Sequence, residues 1–104
     1  MCKVYIAGPI TGDPNYKEKF TAVGAKLALL GLAPVDPTEA PEGLTYKEYI
    51  DEGLAKLTKC DMICMLPGYG ESRGARVEYM YAVAVGMPIL VAMCEGKEWK
   101  ISGR

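Results

Sequence analysis

The sequence has no histidine, no strong excess of either charge and no long uninterrupted apolar run. Its 12 lysines and arginines nearly balance 13 aspartates and glutamates, and the net charge of −1 argues against a nucleic acid polymer as partner. The longest apolar stretch, residues 77–94, is broken by Glu78, Gly86 and Pro88, so we expect neither a membrane-spanning segment nor a membrane partner.

The four cysteines, Cys2, Cys60, Cys64 and Cys94, match neither the spacing of a zinc site nor that of a redox pair. No signal-peptide pattern precedes them, so we expect reduced thiols in a cytoplasmic protein without a metal or cofactor. Three of them lie in or beside apolar stretches, which favours a structural role over a chemical one. The length, 104 residues, predicts a single domain over residues 1–104.

Short apolar runs alternate with amphipathic stretches along the chain. The runs predict strands at residues 3–7, 32–35, 61–66 and 88–93, and the stretches between them predict helices at 16–30, 45–59 and 72–86. Thr45 and Glu48 have capping-box spacing, and Ser72 is a candidate N-cap for the third helix. The apolar positions predicted to face the core are Phe20, Val23, Leu27 and Leu30 in the first helix and Tyr49, Ile50, Leu54 and Leu57 in the second.

This order of elements predicts a three-layer α/β fold with a doubly wound, Rossmann-like parallel sheet in the flavodoxin-like order 2-1-3-4. Trp99 lies in a polar tail, where it either belongs to a fifth strand or packs against another subunit.

Two glycine-rich loops follow the first and third predicted strands, whose carboxyl ends flank the crevice where such sheets bind ligands. The second loop leads into a helix N-terminus, which favours an anion such as a phosphate. The alternative is that its glycines only form a tight turn and Ser72 only caps the helix. The candidate ligand-binding residues are Gly8, Pro9, Ile10, Thr11 and Gly12 in the first loop and Pro67, Gly68, Ser72, Arg73 and Gly74 in the second.

Glu78 is the one charged residue between Arg76 and Glu95, on a helix that is otherwise apolar or tyrosine from residue 77 to 85. An unpaired carboxylate is costly to bury, so this residue is a candidate for function. Its neighbours on the same helix face are small, which we expect to leave room for a ligand: Gly74, Ala75 and Ala82. The alternative is a surface glutamate paired with Arg73 or Arg76. Tyr5 in the first strand either holds Glu78 in position or is simply a core aromatic.

Four segments occur along the chain in a characteristic order: Val-Tyr-Ile-Ala-Gly-Pro at 4–9, Cys-Asp-Met-Ile at 60–63, Ser-Arg-Gly-Ala-Arg-Val-Glu at 72–78, and Gly-Met-Pro at 86–88 after Ala82. In this order and spacing the chain resembles the nucleoside 2-deoxyribosyltransferase superfamily. It looks most like a small branch, common in phages and bacteria, whose members mostly lack an assigned activity.

The resemblance implies cleavage or transfer of an N-glycosidic bond in a small-molecule nucleoside or nucleotide. Glu78 falls on the family's nucleophile and Tyr5 on the tyrosine that orients it. Ser72 stands where relatives that hydrolyse deoxynucleoside monophosphates bind the 5′-phosphate. The resemblance also implies a homo-oligomer, for which Tyr79, Met80, Tyr81 and Trp99 are candidate contact residues.

The chain departs from the family at Gly53, where many members carry an aspartate that helps to protonate the leaving base. Asp36, Asp51 or Glu71 would have to substitute for it, since a missing general acid costs about 10²–10⁴-fold in rate. A non-catalytic nucleotide-binding or sensing module is therefore the alternative function.

Overall fold

The computed structural model describes residues 1–39 and 43–103. Strands and helices alternate over most of this length, because short apolar runs are separated by capped amphipathic helices. The elements are β1 (Lys3–Ala7), α1 (Tyr16–Leu29), β2 (Ala33–Val35), α2 (Tyr46–Leu57), β3 (Met62–Met65), α3 (Arg73–Val85), β4 (Ile89–Glu95) and β5 (Glu98–Gly103), with 3₁₀ turns at Pro37–Glu39 and Tyr69–Glu71.

The sheet has the strand order β2-β1-β3-β4-β5, which confirms the predicted order 2-1-3-4. The first four strands are parallel, and β5 runs antiparallel to β4. Trp99 pairs with Cys94 in this terminal hairpin, and its side chain packs against the core beside α1. Of the two alternatives for Trp99, the structure therefore shows the fifth strand.

Side chains alternate across β1 and define the two faces of the sheet. Val4 and Ile6 pack with Phe20, Val23 and Leu27 of α1. Tyr5 and Ala7 lie on the opposite face, in a core that also contains Leu57 of α2 and Ala75 and Ala82 of α3. Tyr5 is only 1% exposed, so its aromatic ring belongs to the core beneath α2 and α3.

Helix starts follow the predicted caps. Thr45 and Glu48 form the capping box of α2, and the Ser72 hydroxyl accepts a hydrogen bond from the Ala75 N–H to cap α3. Gly86, with φ of +73°, ends α3 in the left-handed conformation that glycine tolerates best. No helix among the described residues combines the length and hydrophobicity that crossing a membrane requires.

Two residues predicted to face the core are exposed instead. Leu30 is 56% exposed because it is the C-cap residue of α1, where the chain leaves the helix and turns towards β2. Tyr49 is 44% exposed near the N-terminal end of α2, whose buried residues, Gly53 and Leu57, lie one and two turns further along the helix. Strand boundaries also shift: Asp61 precedes β3 and accepts a hydrogen bond from the Lys3 N–H at 2.8 Å, while β4 extends to Glu95 in the hairpin.

The loops that follow β1 and β3 touch each other at the carboxyl edge of the sheet. A Cβ on Gly8 would lie 2.6 Å from the Leu66 Cβ, and one on Gly68 would lie 3.4 Å from the Pro9 Cγ. The Leu66 N–H also donates to the Ala7 carbonyl at 2.8 Å, which extends the pairing of β1 and β3 into the loops. Gly8 therefore allows the two loops to meet.

Substituting Gly8→Ala should lower the free energy of unfolding by about 1–3 kcal/mol, because the added methyl group overpacks the contact with Leu66. Gly70→Ala is the matched control, since nothing lies within 4 Å of a Cβ built there. Urea denaturation at pH 7 measures both variants. Equal stabilities for the two variants would contradict the close contact between the loops.

Candidate active site

The centre of the candidate site is a hydrogen bond across the core between Tyr5 and Glu78. The Tyr5 hydroxyl, which projects from β1 towards the helices, donates to the Glu78 Oε2 on α3. Glu78 is partly buried. No lysine or arginine in the described part of the chain lies within 4.0 Å of its carboxylate, and Arg73 instead stacks 5.6 Å above the centroid of the Tyr46 ring. Glu78 is therefore paired with Tyr5 rather than with an arginine.

Burial controls the protonation of this pair. It raises the pKa of Glu78 to about 7, and the hydrogen bond from Tyr5 acts in the opposite direction because it stabilises the carboxylate. Burial raises the pKa of Tyr5 far above its ordinary value, and the nearby negative charge of Glu78 raises it further, with smaller contributions from Cys60 and Asp36. Tyr5 is therefore a hydrogen-bond donor at every physiological pH, while Glu78 is poised to gain or lose a proton near neutrality.

Helix α2 covers this pair at Gly53, which is buried. A Cβ on Gly53 would lie 2.8 Å from the Glu78 Oε2 and 2.8 Å from the Tyr5 hydroxyl. The sequence identifies Gly53 only as the position of a missing acid. The sequence signal for this close packing is a glycine in the middle of a helix. Because such a glycine lowers helix stability, it indicates a position where another group approaches the helix backbone closely.

The first loop is buried at its start, where it contacts the second loop, and exposed further on. Gly8 is buried and Pro9 is partly buried at the contact with the second loop, whereas Ile10, Thr11 and Gly12 are exposed. Gly12 has φ of +85°, so this position requires the left-handed conformation.

The second loop turns sharply before α3. Pro67 is exposed, and Gly68 has φ of +82°, as the tight-turn interpretation requires. Ser72 caps α3, with its hydroxyl oxygen 3.3 Å from the Ala75 nitrogen. The N–H groups of Arg73 and Gly74 lie in the first turn, where they have no acceptor within the helix. The loop thus forms a tight turn and caps the helix, and it also leaves backbone N–H donors at the helix N-terminus.

The space next to the small residues beside Glu78 is occupied by other parts of the protein. A Cβ on Gly74 would lie 2.9 Å from the Ile50 Cδ1 of α2, and Ala75 and Ala82 are buried in the core. The expectation that these residues leave room for a ligand along the helix face is therefore wrong at Gly74, because α2 packs there.

A cavity of about 760 Å³ lies on the other face of the sheet, between α1 and the β4–β5 hairpin. It is lined by Trp99, Val91 and Leu66, with Pro67 and Tyr69 from the second loop. Tyr5 and Glu78 do not line it. The cavity and the pair are therefore separate features that share only one loop.

Comparison with known proteins places the chain in a family. Residues 2–91 match the family described as "Domain of unknown function (DUF4406)". The chain belongs to this family. None of the curated proteins matches the chain.

Solved structures share the fold of this DUF4406 chain. A 2-deoxyribosyltransferase from Leishmania mexicana matches with a TM-score of 0.70 at 20% identity, over 96% of this chain and 79% of that one. One from Bacillus psychrosaccharolyticus matches with a TM-score of 0.67 at 17% identity, over 86% of this chain and 71% of that one. A conserved protein from Enterococcus faecalis V583 matches with a TM-score of 0.62 at 21% identity, over 88% of this chain and 62% of that one. These likenesses confirm the fold that the sequence resemblance implies.

The raised pKa of Glu78 should make stability depend on pH. Because the folded protein binds this proton more tightly than the unfolded chain does, stability should fall as the pH rises from about 4.5 to about 7. Relative to Glu78→Gln, the native protein should lose on the order of 2–3 kcal/mol between pH 5 and pH 8.

Urea denaturation of both proteins at half-unit pH steps measures this difference. Glu71→Gln is the control, since Glu71 is an exposed carboxylate in the 3₁₀ turn before α3. A native protein and a Glu78→Gln variant with parallel pH profiles would refute the perturbed carboxyl.

Proposed function

We propose that this DUF4406 chain cleaves or transfers the N-glycosidic bond of a 2′-deoxynucleoside 5′-monophosphate, with Glu78 as the nucleophile. The observation that carries the proposal is the partly buried Glu78 carboxylate held by Tyr5 on the helix that follows the glycine-rich loop. The named neighbours of known activity support it, because both are 2-deoxyribosyltransferases.

In the proposed reaction, a carboxylate oxygen of Glu78 attacks the anomeric carbon from the face opposite the base, and the bond to the base nitrogen breaks. Water or a second base then displaces the glutamate from the sugar. Tyr5 fixes the orientation of the carboxylate and keeps one oxygen hydrogen-bonded, so the other oxygen is the one that attacks.

A phosphate on the sugar would lie at the N-terminus of α3. Arg73 and Gly74 offer N–H groups there, and the positive end of the helix dipole adds to the attraction. Residue 78 lies five residues further along the helix, an axial separation of about 7.5 Å, so one sugar can span both groups. Gly8 and Pro9, which contact the second loop, belong to the wall of the same site.

A non-catalytic nucleotide-binding or sensing module is the second candidate. The observation that favours it is Gly53, because α2 brings no acidic side chain to the position where many members of the deoxyribosyltransferase superfamily carry an aspartate that helps to protonate the base. Such a module would bind its nucleotide and leave it intact.

We also propose that the protein is a homo-oligomer. The outer face of α3 carries Val77, Met80 and Val83, which are 42%, 68% and 55% exposed. Tyr79 and Tyr81 are partly buried against the core and Trp99 packs beside α1, so Met80 is the one of the four predicted contact residues that is free for this surface. Light scattering of the purified protein measures the assembly directly.

The activity is tested by incubating the protein with the four common deoxynucleoside monophosphates, with and without a second free base, and separating the products by chromatography. Glu78→Gln should reduce the release or exchange of base by at least about 10²-fold, because the nucleophile is lost. Glu98→Gln should retain it, since Glu98 is an exposed carboxylate at the start of β5, away from both loops. Binding without turnover would favour the sensing module, and equal rates for the native protein and Glu78→Gln would exclude Glu78 as nucleophile.

The role of Ser72 can be separated from its capping role by two substitutions. Ser72→Ala removes both the cap and the hydroxyl and should cost about 1 kcal/mol of stability, whereas glycine is a tolerable cap and should cost only a few tenths. If the hydroxyl binds phosphate, both variants should raise KM for the monophosphate and leave KM for the unphosphorylated nucleoside unchanged. A defect in Ser72→Ala that Ser72→Gly does not share would assign Ser72 to capping alone.

A further inference from the structure

Helix α2 comes so close to the Tyr5–Glu78 pair at Gly53 that no side chain fits between them. The two distances of 2.8 Å from a Cβ at Gly53 are shorter than real contacts of a Cβ atom. Both oxygens are also held in place, because Tyr5 and Glu78 are hydrogen-bonded to each other. At this position the helix therefore covers the carboxylate with backbone and contributes no side chain that could carry a proton to a leaving base.

The acidic residues that flank Gly53 belong to the outer surface of α2. Asp51 forms an ion pair with Lys47 at 2.6 Å, and Glu52 is exposed. Together with Glu48, both line a shallow groove on that outer surface. Within the described part of the chain, α2 thus brings no carboxylic acid to Glu78.

The charge outside the pair that acts on Tyr5 is negative. Asp36, which follows β2 at the same edge of the sheet, raises the pKa of Tyr5 through its charge. Its Oδ1 accepts hydrogen bonds from the N–H and hydroxyl of Thr38, at 2.8 and 2.6 Å, so it is held as an acceptor. Cys60 also acts on Tyr5, but burial raises the pKa of its thiol, so it is uncharged near neutral pH. A positively charged ligand is the natural complement of such a site.

We propose, on the basis of the proposed function, that the preferred substrate is a nucleotide whose base already carries a positive charge, such as an N-alkylated purine or a pyridinium. When Glu78 forms its bond to the anomeric carbon, the bond to the base nitrogen breaks and its electron pair neutralises the cation. The base then leaves neutral and needs no proton. Water subsequently attacks the sugar, the glutamate leaves as a carboxylate, and the proton of the water passes to solvent.

This substrate class removes the need for the acid that Gly53 replaces. A neutral purine leaves as an anion unless it is protonated, and general-acid catalysis contributes about 10²–10⁴-fold to such steps. A site with a covered carboxylate and no acid on α2 should therefore discriminate between the two kinds of leaving group by a factor of that size.

The test compares 7-methyl-2′-deoxyguanosine 5′-monophosphate with its unmethylated parent. Release of free base is followed by chromatography at pH 6, where the methylated guanine is still a cation, and each rate is divided by the spontaneous rate of the same compound at the same pH. The native protein should accelerate cleavage of the methylated nucleotide at least about 10²-fold more than that of the parent. Gly103→Ala, at a position with nothing within 4 Å of an added Cβ, should behave like the native protein, and Glu78→Gln should abolish the acceleration.

The pH profile gives a second readout. With no acid required, kcat/KM for a nicotinamide 2′-deoxyribonucleotide, whose pyridinium charge does not titrate, should rise as Glu78 ionises and then stay level, whereas an acid that must remain protonated would produce a bell-shaped profile. Equal or greater acceleration of the parent nucleotide, or a bell-shaped profile, would overturn this inference and leave the proposed function standing. No acceleration of either nucleotide and no base exchange would defeat both.

Discussion

The candidate site depends on one hydrogen bond, from Tyr5 on β1 to Glu78 on α3, made at the centre of the fold beneath α2. The bond joins β1, an inner strand of the sheet, to the helix that leaves the glycine-rich loop, and it fixes the direction of the carboxylate. Without the Tyr5 hydroxyl, Glu78 would be a desolvated charge with no described partner, which a small core tolerates poorly.

Three structural features converge on this bond. The parallel pairing of β1 and β3 brings their two loops into contact through Gly8 and Leu66, the cap at Ser72 sets the start of α3, and the absence of a side chain at Gly53 allows α2 to close over the pair. The two glycines allow neighbouring elements to pack closely, and the cap fixes where the helix begins. The resulting desolvation raises the pKa of Glu78 towards neutrality, so packing and reactivity have the same cause.

Local signals in the sequence were enough to predict the architecture. The apolar runs located the strands, and the Thr45 and Ser72 caps located two helix starts, because hydrogen bonding and periodicity act over a few residues. The lone carboxylate at Glu78 and the aromatic at Tyr5 were also recognisable as a possible pair. Their roles in catalysis stay predictions.

The features that the sequence could not predict depend on how the helices pack onto the sheet. The approach of Gly53 to the carboxylate, the contact of Gly74 with Ile50 and the exposure of Tyr49 all follow from the rotation and height of α2. Periodicity fixes which residues share a face of a helix, but it does not fix which face comes closest to a neighbouring element. For the same reason, the space expected beside Gly74 is occupied by α2.

The most direct test of this account is the titration of the Glu78 carboxyl carbon by NMR, in the native protein and in Tyr5→Phe. A midpoint near pH 7 that moves higher when the Tyr5 hydroxyl is removed is the expected result, because burial raises the pKa and the hydrogen bond opposes it. A midpoint near 4.5, unchanged by Tyr5→Phe, would show a solvated glutamate and contradict the central claim.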